Sequence, residues 1–590
     1  MTRPGPKTLA ALVLVVAGLG LAVAWDWNWF RDPLAEHLST RSGRSVRLGD
    51  LHVSFEHFPD PTVRLRDVAI DNAPWVRATK GRPFVTAKEV AFTFAWHSLP
   101  TGRPVVSHLR LVDADVALER NADNLRNWRL REPDDRGDGK FKIQRLEALR
   151  SRLRFVHDGV GLDLRTAAAP LPAAQGAFTT RITFGGTWRD ARFDGEADTP
   201  PALTFLDTGE AFALRGAATS DALRLTVDGT VTDLFRLDGI DADVGVSGPS
   251  FAAVRRLMPA AWPDTAAFSV AGHVAKNHDH WAFTDLKAEV GKSDIGGELR
   301  YNAGADRPFL EGELTSRVTR LDDVWHGAPP PRKTDDDTPP LRRFDADIGL
   351  LVRTLHLPHV PPLTQVRLKA RLDDGLLDLT PVQARVADGE LQGLASWDGR
   401  QQPPAARAEL TWRNLRLEQL LPPLPDDGEA TGPLSGQLKL TSHGDTLDAL
   451  LAHASGHGDA TLRGGRLSAG LDARLGLNGG RAVRAALAPA ADVAILCART
   501  GLVLKDGRGE VFPLLLDTAH TRVDGRGDAD LSAGRATLLL TPRRKESALL
   551  ALDRSLQVTA TADGVDWRLV PQQAITPEVS CDTPAAVKAR

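Results

Sequence analysis

The sequence predicts a mainly β protein made of antiparallel hairpins, carried behind one N-terminal transmembrane helix. Three observations lead there. Short segments along the whole chain alternate apolar and polar residues with a period of two. Glycine and proline, 52 and 39 of 590 residues, punctuate the chain too often for long helices. One long uncharged apolar run occurs, at the extreme N-terminus.

That run comes first. Arg3 and Lys7 precede an uncharged stretch of Leu, Val, Ala and Gly over residues 8–25. As a helix it spans about 26 Å, close to a hydrocarbon core of ~30 Å. Trp25, Trp27 and Trp29 follow where an interfacial aromatic belt belongs. Basic residues on the short side place that end in the cytoplasm and residues 26–590 beyond the membrane. The competing reading is a cleavable signal peptide, because Ala22-Val23-Ala24 fits a small-x-small cleavage pattern. The length of the run and the tryptophans beside the cut favour a single-pass anchor, residues 1–25. Both readings export the rest into an oxidising compartment. There Cys497 and Cys581 can pair, closing a loop of about 84 residues worth about 4.5 kcal/mol in the chain-entropy model. Two free buried thiols are the alternative.

Next comes one short helix, with Asp32 as its cap, Pro33 in the first turn and Gly43 at its end. From there the period is two. Leu51-His52-Val53-Ser54-Phe55, Val63-Arg64-Leu65-Arg66 and Phe344-Asp345-Ala346-Asp347-Ile348 all alternate. In Leu223-Arg224-Leu225-Thr226-Val227 and Val366-Arg367-Leu368-Lys369-Ala370-Arg371-Leu372, one face is wholly apolar and the other polar. Asp228-Gly229, Asp374-Gly375, Asp388-Gly389 and Asp524-Gly525 read as hairpin turns. Residues 251–258, 445–454 and 545–552 are the further helical candidates. Residues 328–340, rich in proline and charge, read as a linker, and 131–140 as an exposed loop.

Composition excludes several functions. Lys plus Arg is 73 against 76 Asp plus Glu, so no basic excess suits a phosphate backbone. Gly291-Lys292-Ser293 resembles the end of a phosphate loop, but Leu286 stands where that motif needs its first glycine. His278 and His280 have no third metal ligand nearby, and Ser455-Gly456 argues against an intact helix holding His453 and His457 toward a metal. No nucleophile elbow, zinc-protease motif or distinct carboxylate pair appears, so the residues predict no enzyme, no metal and no cofactor.

The order of the segments resembles the AsmA family. An apolar anchor runs into Phe30-Arg31-Asp32-Pro33-Leu34, then Ser42-Gly43-Arg44-Ser45-Val46, Pro61-Thr62-Val63-Arg64-Leu65 and Asp71-Asn72-Ala73-Pro74-Trp75. Glu289-Val290-Gly291-Lys292-Ser293-Asp294-Ile295-Gly296-Gly297 and Arg307-Pro308-Phe309-Leu310-Glu311-Gly312 are similar to its later hairpins. Leu515-Leu516-Asp517-Thr518, Val523-Asp524-Gly525-Arg526-Gly527 and Leu538-Leu539-Leu540-Thr541-Pro542 are similar to its C-terminal region.

The resemblance implies a long twisted antiparallel β-sheet curled into a groove with an apolar inside. It implies anchorage in a bacterial inner membrane, with the bulk of the chain in the periplasm. The implied role is phospholipid transport toward the outer membrane, or outer-membrane assembly without lipid carriage. Residues 26–327 then form an N-terminal β-groove region and 341–590 a C-terminal β-rich region. Leu223, Leu225, Val227, Val366, Leu368, Ala370 and Leu372 are the candidates to line the groove, and ordinary core packing is their equal alternative. At roughly 20–25 residues per strand and turn, some 23–28 strands stacked ~4.8 Å apart make a trough on the order of 110–135 Å. A trough of that length suits work with a partner or a second copy, or lipid handling near the inner membrane.

Overall fold

In the computed structural model the described residues are 26–101, 104–129, 142–204, 211–232, 238–256, 263–324, 340–358, 360–421, 429–487, 491–545, 550–561, 564–575 and 580–581. They are mainly β, with a few short helices. They form 34 strands, more than the spacing estimate, because many turns take only two residues and some strands are as short as Val46–Arg47. The anchor (1–25), the loop (131–140) and nearly all of the linker (328–339) lie outside the described residues. Among the described residues no helix is long and apolar enough to cross a membrane. The chain divides into two compact units, 1–259 with 267–284, and 260–266 with 285–590.

The first unit opens on a 3₁₀ turn, Trp27–Phe30, whose Asn28 N–H donates to the Asp26 carboxylate at 3.1 Å. The helix Arg31–Ser42 follows directly, so Asp32 sits in its first turn instead of capping it. Gly43, at φ 64°, ends it in the left-handed conformation that a glycine adopts without strain. Leu34 and Trp27 pack against a core of Leu51, Leu65, Val68, Ala87, Val90 and Ala114. Strands Asp50–His57, Asp60–Ile70 and Val85–Phe94 are antiparallel. Beyond them Asp115–Arg120 pairs in parallel with Ser151–His157. From Ser151–His157 an antiparallel meander runs through Leu162–Gln175, Phe178–Trp188, Ala191–Thr199, Phe212–Ser220, Leu223–Val231, Ile240–Gly248 and Phe268–Asn277.

The first unit also holds a buried polar knot. Glu119 is 1% exposed. Its carboxylate accepts from the N–H groups of Arg77 (2.8 Å), Ala78 (3.2 Å) and Thr79 (2.8 Å), and from the Thr79 hydroxyl (2.9 Å). Asn127 Nδ2 donates to the Ala117 carbonyl (2.7 Å) and to Asn72 Oδ1 (2.9 Å), while its Oδ1 accepts from Glu119 N–H at 2.8 Å. Asn72 of the Asp-Asn-Ala-Pro-Trp segment is therefore structural, satisfying buried donors that would otherwise cost about 1–3 kcal/mol each.

The second unit has one main sheet that runs in sequence order, with a small side sheet of Ala430–Thr431, Arg466–Leu467 and the start of Val493–Lys505. Ser293–Asn302 pairs antiparallel with Phe309–Arg320, which pairs in parallel with Asp345–His356 across the 328–340 segment. Every later neighbour in the main sheet is antiparallel, through Leu363–Asp373, Leu376–Val386, Gly389–Asp398, Ala405–Arg416, Pro433–His443 and Ser455–Arg463. The sheet continues through Val493–Lys505, Arg508–Thr518, Thr521–Asp530, Arg535–Arg544, Arg554–Thr561 and Gly564–Pro571.

Asp374-Gly375 is a turn, and Ala387-Asp388 turns just before Gly389. Asp228-Gly229 and Asp524-Gly525 are not turns but strand interiors: the neighbouring strand approaches Gly229 too closely for a side chain, and Leu514 and Leu540 of the neighbouring strands crowd Gly525. Residues 251–256 are 3₁₀, and Leu447–Ala452 is a helix capped by Thr446, whose hydroxyl accepts from Ala449 N–H at 3.2 Å. The helix expected at 545–552 is absent at its described end, where Leu550 is a turn and Ala551 bridges to Asn478. Two helices the period missed, Ala469–Leu475 and Gly479–Leu487, are framed by glycines that read as loop.

The C-terminal segment returns over the polar face of this unit. Gln573 N–H donates to Ser555 Oγ (3.0 Å) and its carbonyl accepts from Thr541 Oγ1 (2.8 Å). Ile575 is 3% exposed, and Cys581 forms a disulfide with Cys497, their Cα atoms 6.3 Å apart.

Candidate functional site: the apolar face of the sheet

Strand alternation sorts each unit into two faces, and the register shows how the apolar residues line up. In the second unit Leu350 stands opposite Leu368, Leu368 opposite Val382, and Val382 opposite Gly393. The row continues through Leu410, Leu438, Gly458, Leu502, Val511, Gly527, Leu538, Val558 and Trp567. A parallel row starts at Ile348, Ala370 and Leu379 and runs on through Ala395, Ala408 and Leu440. No polar side chain interrupts either stretch.

The burial along these rows is uneven. A closed cluster of Val352, Leu363, Val366, Ala384, Val386, Ala387 and Leu415 sits at one end of the strands. Ala346 and Leu372 are buried at the other end. Between them Ile348, Leu350, Leu368, Ala370, Leu379, Leu410, Leu438 and Leu440 stay half-buried. The core of a two-sheet sandwich would bury such residues almost completely. The opposite face carries the ions: Lys369 Nζ meets Asp347 at 3.0 Å and Lys439 meets Glu409 at 3.4 Å.

In the first unit Leu225 lies between Ala218 and Val246, and Val227 between Gly216 and Val244. Leu223 is buried, Val227 half-buried, and Leu225 is 42% exposed although it belongs to the apolar face. Of the candidates in the second unit, Val366 and Leu372 are buried, Leu368 and Ala370 half-buried. All seven thus lie on the apolar face of their strand; Leu225, Val227, Leu368 and Ala370 retain accessible surface, and the other three belong to its closed ends.

The remaining candidates are placed elsewhere. Trp27 packs against the first unit's core, Trp29 is 72% exposed, and Trp25 lies outside the described residues. Gly291-Lys292-Ser293 is a turn filled by a carboxylate: Asp323 accepts from Lys292 N–H (2.9 Å) and Ser293 Oγ (2.8 Å). His453 Nδ1 meets the Ala449 carbonyl at 2.8 Å, and its ring lies 4.3 Å from that of His443. No group of three residues able to hold a metal occurs among the described residues.

What sequence reasoning missed is the role of glycine on the apolar face. A Cβ at Gly312 would lie 2.8 Å from Leu299 Cδ2, and one at Gly527 2.5 Å from Leu538 Cδ2. Leucines lie flat across glycines of the adjacent strand, which keeps the face smooth. The signal was present as Gly and Leu at alternate positions of neighbouring strands, but it needs the register to be seen.

A sequence model of the AsmA family matches residues 7–136 and 330–511, more than half of the chain. The chain belongs to the AsmA family. It is 23% identical over 620 residues to the AsmA family protein YhjG of Escherichia coli (strain K12), covering 94% of this chain and 90% of that protein. No solved structure matches. The family match spans both the polar knot of the first unit and the half-buried apolar rows of the second as far as residue 511.

Proposed function

We propose that this AsmA family protein binds phospholipid acyl chains along the apolar face of its sheet and contributes to lipid transport toward the outer membrane. The observation that carries the reading is the long row of apolar residues, most of them half-buried and interleaved with glycines, with Leu225 left 42% exposed on the same kind of face. Exposed apolar surface of this extent needs a cover. Acyl chains supply one at about 0.8 kcal/mol per buried CH₂, leaving headgroups at the margin. The flat Leu-over-Gly surface suits sliding of an acyl chain. The process needs no bond-making step, so the reading is of a non-enzymatic protein without a cofactor. Residues 1–25 act in it as a single-pass inner-membrane anchor, with the N-terminus cytoplasmic and the rest periplasmic. Other envelope proteins or a second copy complete the path.

The test is mass spectrometry of lipid that co-purifies with the full-length protein, with photo-crosslinkers at Leu225 and Leu368 and controls at Arg224 and Lys369. Phospholipid adducts at 225 and 368 but not at 224 and 369 are expected. Absence of co-purifying lipid, with no adduct at Leu225, would sink the reading. A scaffold for outer-membrane protein assembly that carries no lipid would replace it.

A further inference from the structure

Four arginines and a histidine from separate segments meet at one end of the first unit. Arg120 closes the strand Asp115–Arg120 beside His157, its parallel partner. The chain turns and returns so that Arg126 bridges to Arg120, and Arg129 N–H then donates to the Arg126 carbonyl at 3.1 Å. Arg44, directly after the helix-ending Gly43, joins this group at the Arg129 backbone: its Nη2 donates to the Arg129 carbonyl at 3.4 Å, with its guanidinium 5.6 Å from the centre of the Phe84 ring. Trp128 and Phe155, 6.0 Å apart, and Phe155 and His157, 6.2 Å apart, form an aromatic wall beside them.

The cluster lacks counter-charge. Among the described residues, no carboxylate pairs with Arg44, Arg120, Arg126 or Arg129. Arg44 Nη1 and Arg120 Nε are buried with no acceptor. The nearby carboxylates are engaged elsewhere: Glu119 with the backbone of residues 77–79, Asp163 with Arg154 at 2.9 Å, and Asp123 with Asn121 at 3.5 Å. Asp158 lies beside His157 and acts on its imidazole. Burial, then repulsion from Arg120 and Arg129, lowers the affinity of Arg126 for its proton; burial does the same to Arg44. His157 is also held below its usual value, by burial and then by Arg120. Arg44, Arg120 and Arg126 are half-buried, and half-buried cations with unmet N–H donors are costly unless an anion joins them.

We propose that Arg44, Arg120, Arg126 and Arg129 form a binding site for a phosphate-bearing anion, supplied by a phospholipid headgroup or by free phosphate. Guanidinium forks match phosphate oxygens in pairs, which a lysine cluster would not do. The aromatic wall accommodates the glycerol end of an amphiphile. The site stands apart from the acyl-chain reading, since an apolar face that carried nothing would leave it intact.

The test uses the full-length protein in nonionic detergent, reading melting temperature and affinity in three solutes at matched ionic strength. These are sodium chloride, inorganic phosphate, and dihexanoylphosphatidic acid below its micellar concentration. Phosphate-bearing solute is expected to raise the melting temperature above the chloride control. Arg126→Gln and the exposed Arg129→Gln should each weaken binding on the order of tenfold, about 1.4 kcal/mol. Arg413→Gln, on the polar face of the second unit, should leave it unchanged. A gain with inorganic phosphate supports the site with free phosphate as a sufficient ligand; a gain with the lipid alone supports it with the headgroup as source. No gain over chloride with either solute, or an equal gain in the Arg126→Gln/Arg129→Gln double variant, would overturn the proposal.

Discussion

Leu410 lies across Gly393 on the neighbouring strand, so that a Cβ at position 393 would stand 2.8 Å from Leu410 Cδ2 and 2.2 Å from the Glu409 carbonyl oxygen. The second contact is with backbone, which cannot swing aside. Gly393→Val should therefore destabilise the protein by about 1–3 kcal/mol, through strand displacement and loss of the leucine's resting place. Gly470, in the helix Ala469–Leu475, has nothing within 4 Å of its Cβ direction. Gly470→Ala should be neutral or stabilising by roughly 0.5–1 kcal/mol. Denaturant melts of the two variants distinguish them, and equal effects would refute the packing account.

Glu119 anchors the first unit through charge. Burial pushes its pKa up, but hydrogen bonds from Arg77 N–H, from the Thr79 hydroxyl and N–H, and from Ala78 N–H outweigh it and hold it below its ordinary value. A lowered folded pKa means that the carboxylate contributes stability above the unfolded value, near 4.5, and loses it as pH falls through the folded one. Glu119→Gln should cost about 2–3 kcal/mol at neutral pH, because the amide cannot accept from four donors. The gap to wild type should then narrow as pH falls below the unfolded value near 4.5. A constant gap down to the acid limit would contradict the charge argument.

The Cys497–Cys581 disulfide spans 84 residues and ties the C-terminal segment to the sheet. Cys581→Ser should lower stability by about 4.5 kcal/mol at most, the chain-entropy value for such a loop. Limited proteolysis should release the peptide beyond Pro571 first. Resistance of that peptide in the variant would show that Gln573 and Ile575 hold it unaided.

Leu225 and Val366 separate lipid contact from folding. Leu225→Glu, at a site 42% exposed, should shift stability by no more than about 0.5 kcal/mol yet reduce co-purified lipid. Val366→Glu, at a site 6% exposed, should destabilise by more than about 3 kcal/mol by burying an unpaired carboxylate. If Leu225→Glu unfolds the protein, that part of the apolar face is core.

Asp228-Gly229 and Asp374-Gly375 look alike in sequence, yet the first lies inside a strand and the second is a turn. At Gly229 the Asp241 carbonyl oxygen would stand 2.3 Å from a Cβ, so the glycine serves a close approach between strands. A dipeptide cannot reveal which of the two it is, because the approaching strand is contributed from elsewhere.

The sequence alone determined the strands, since the period of two in segments such as 223–227 and 366–372 is a local property of the chain. It also determined that the apolar residues of each strand share one face. The tertiary structure decided what faces what. It paired Phe309–Arg320 with Asp345–His356 in parallel, laid leucines over glycines, and left Leu368 half-buried while closing over Val366. It also gathered Arg44, Arg120, Arg126 and Arg129 from residues up to 85 positions apart. Alternation sets the side of the sheet on which a residue lies, but cover and counter-charge come from segments distant in sequence, which become neighbours only once the strands are in register.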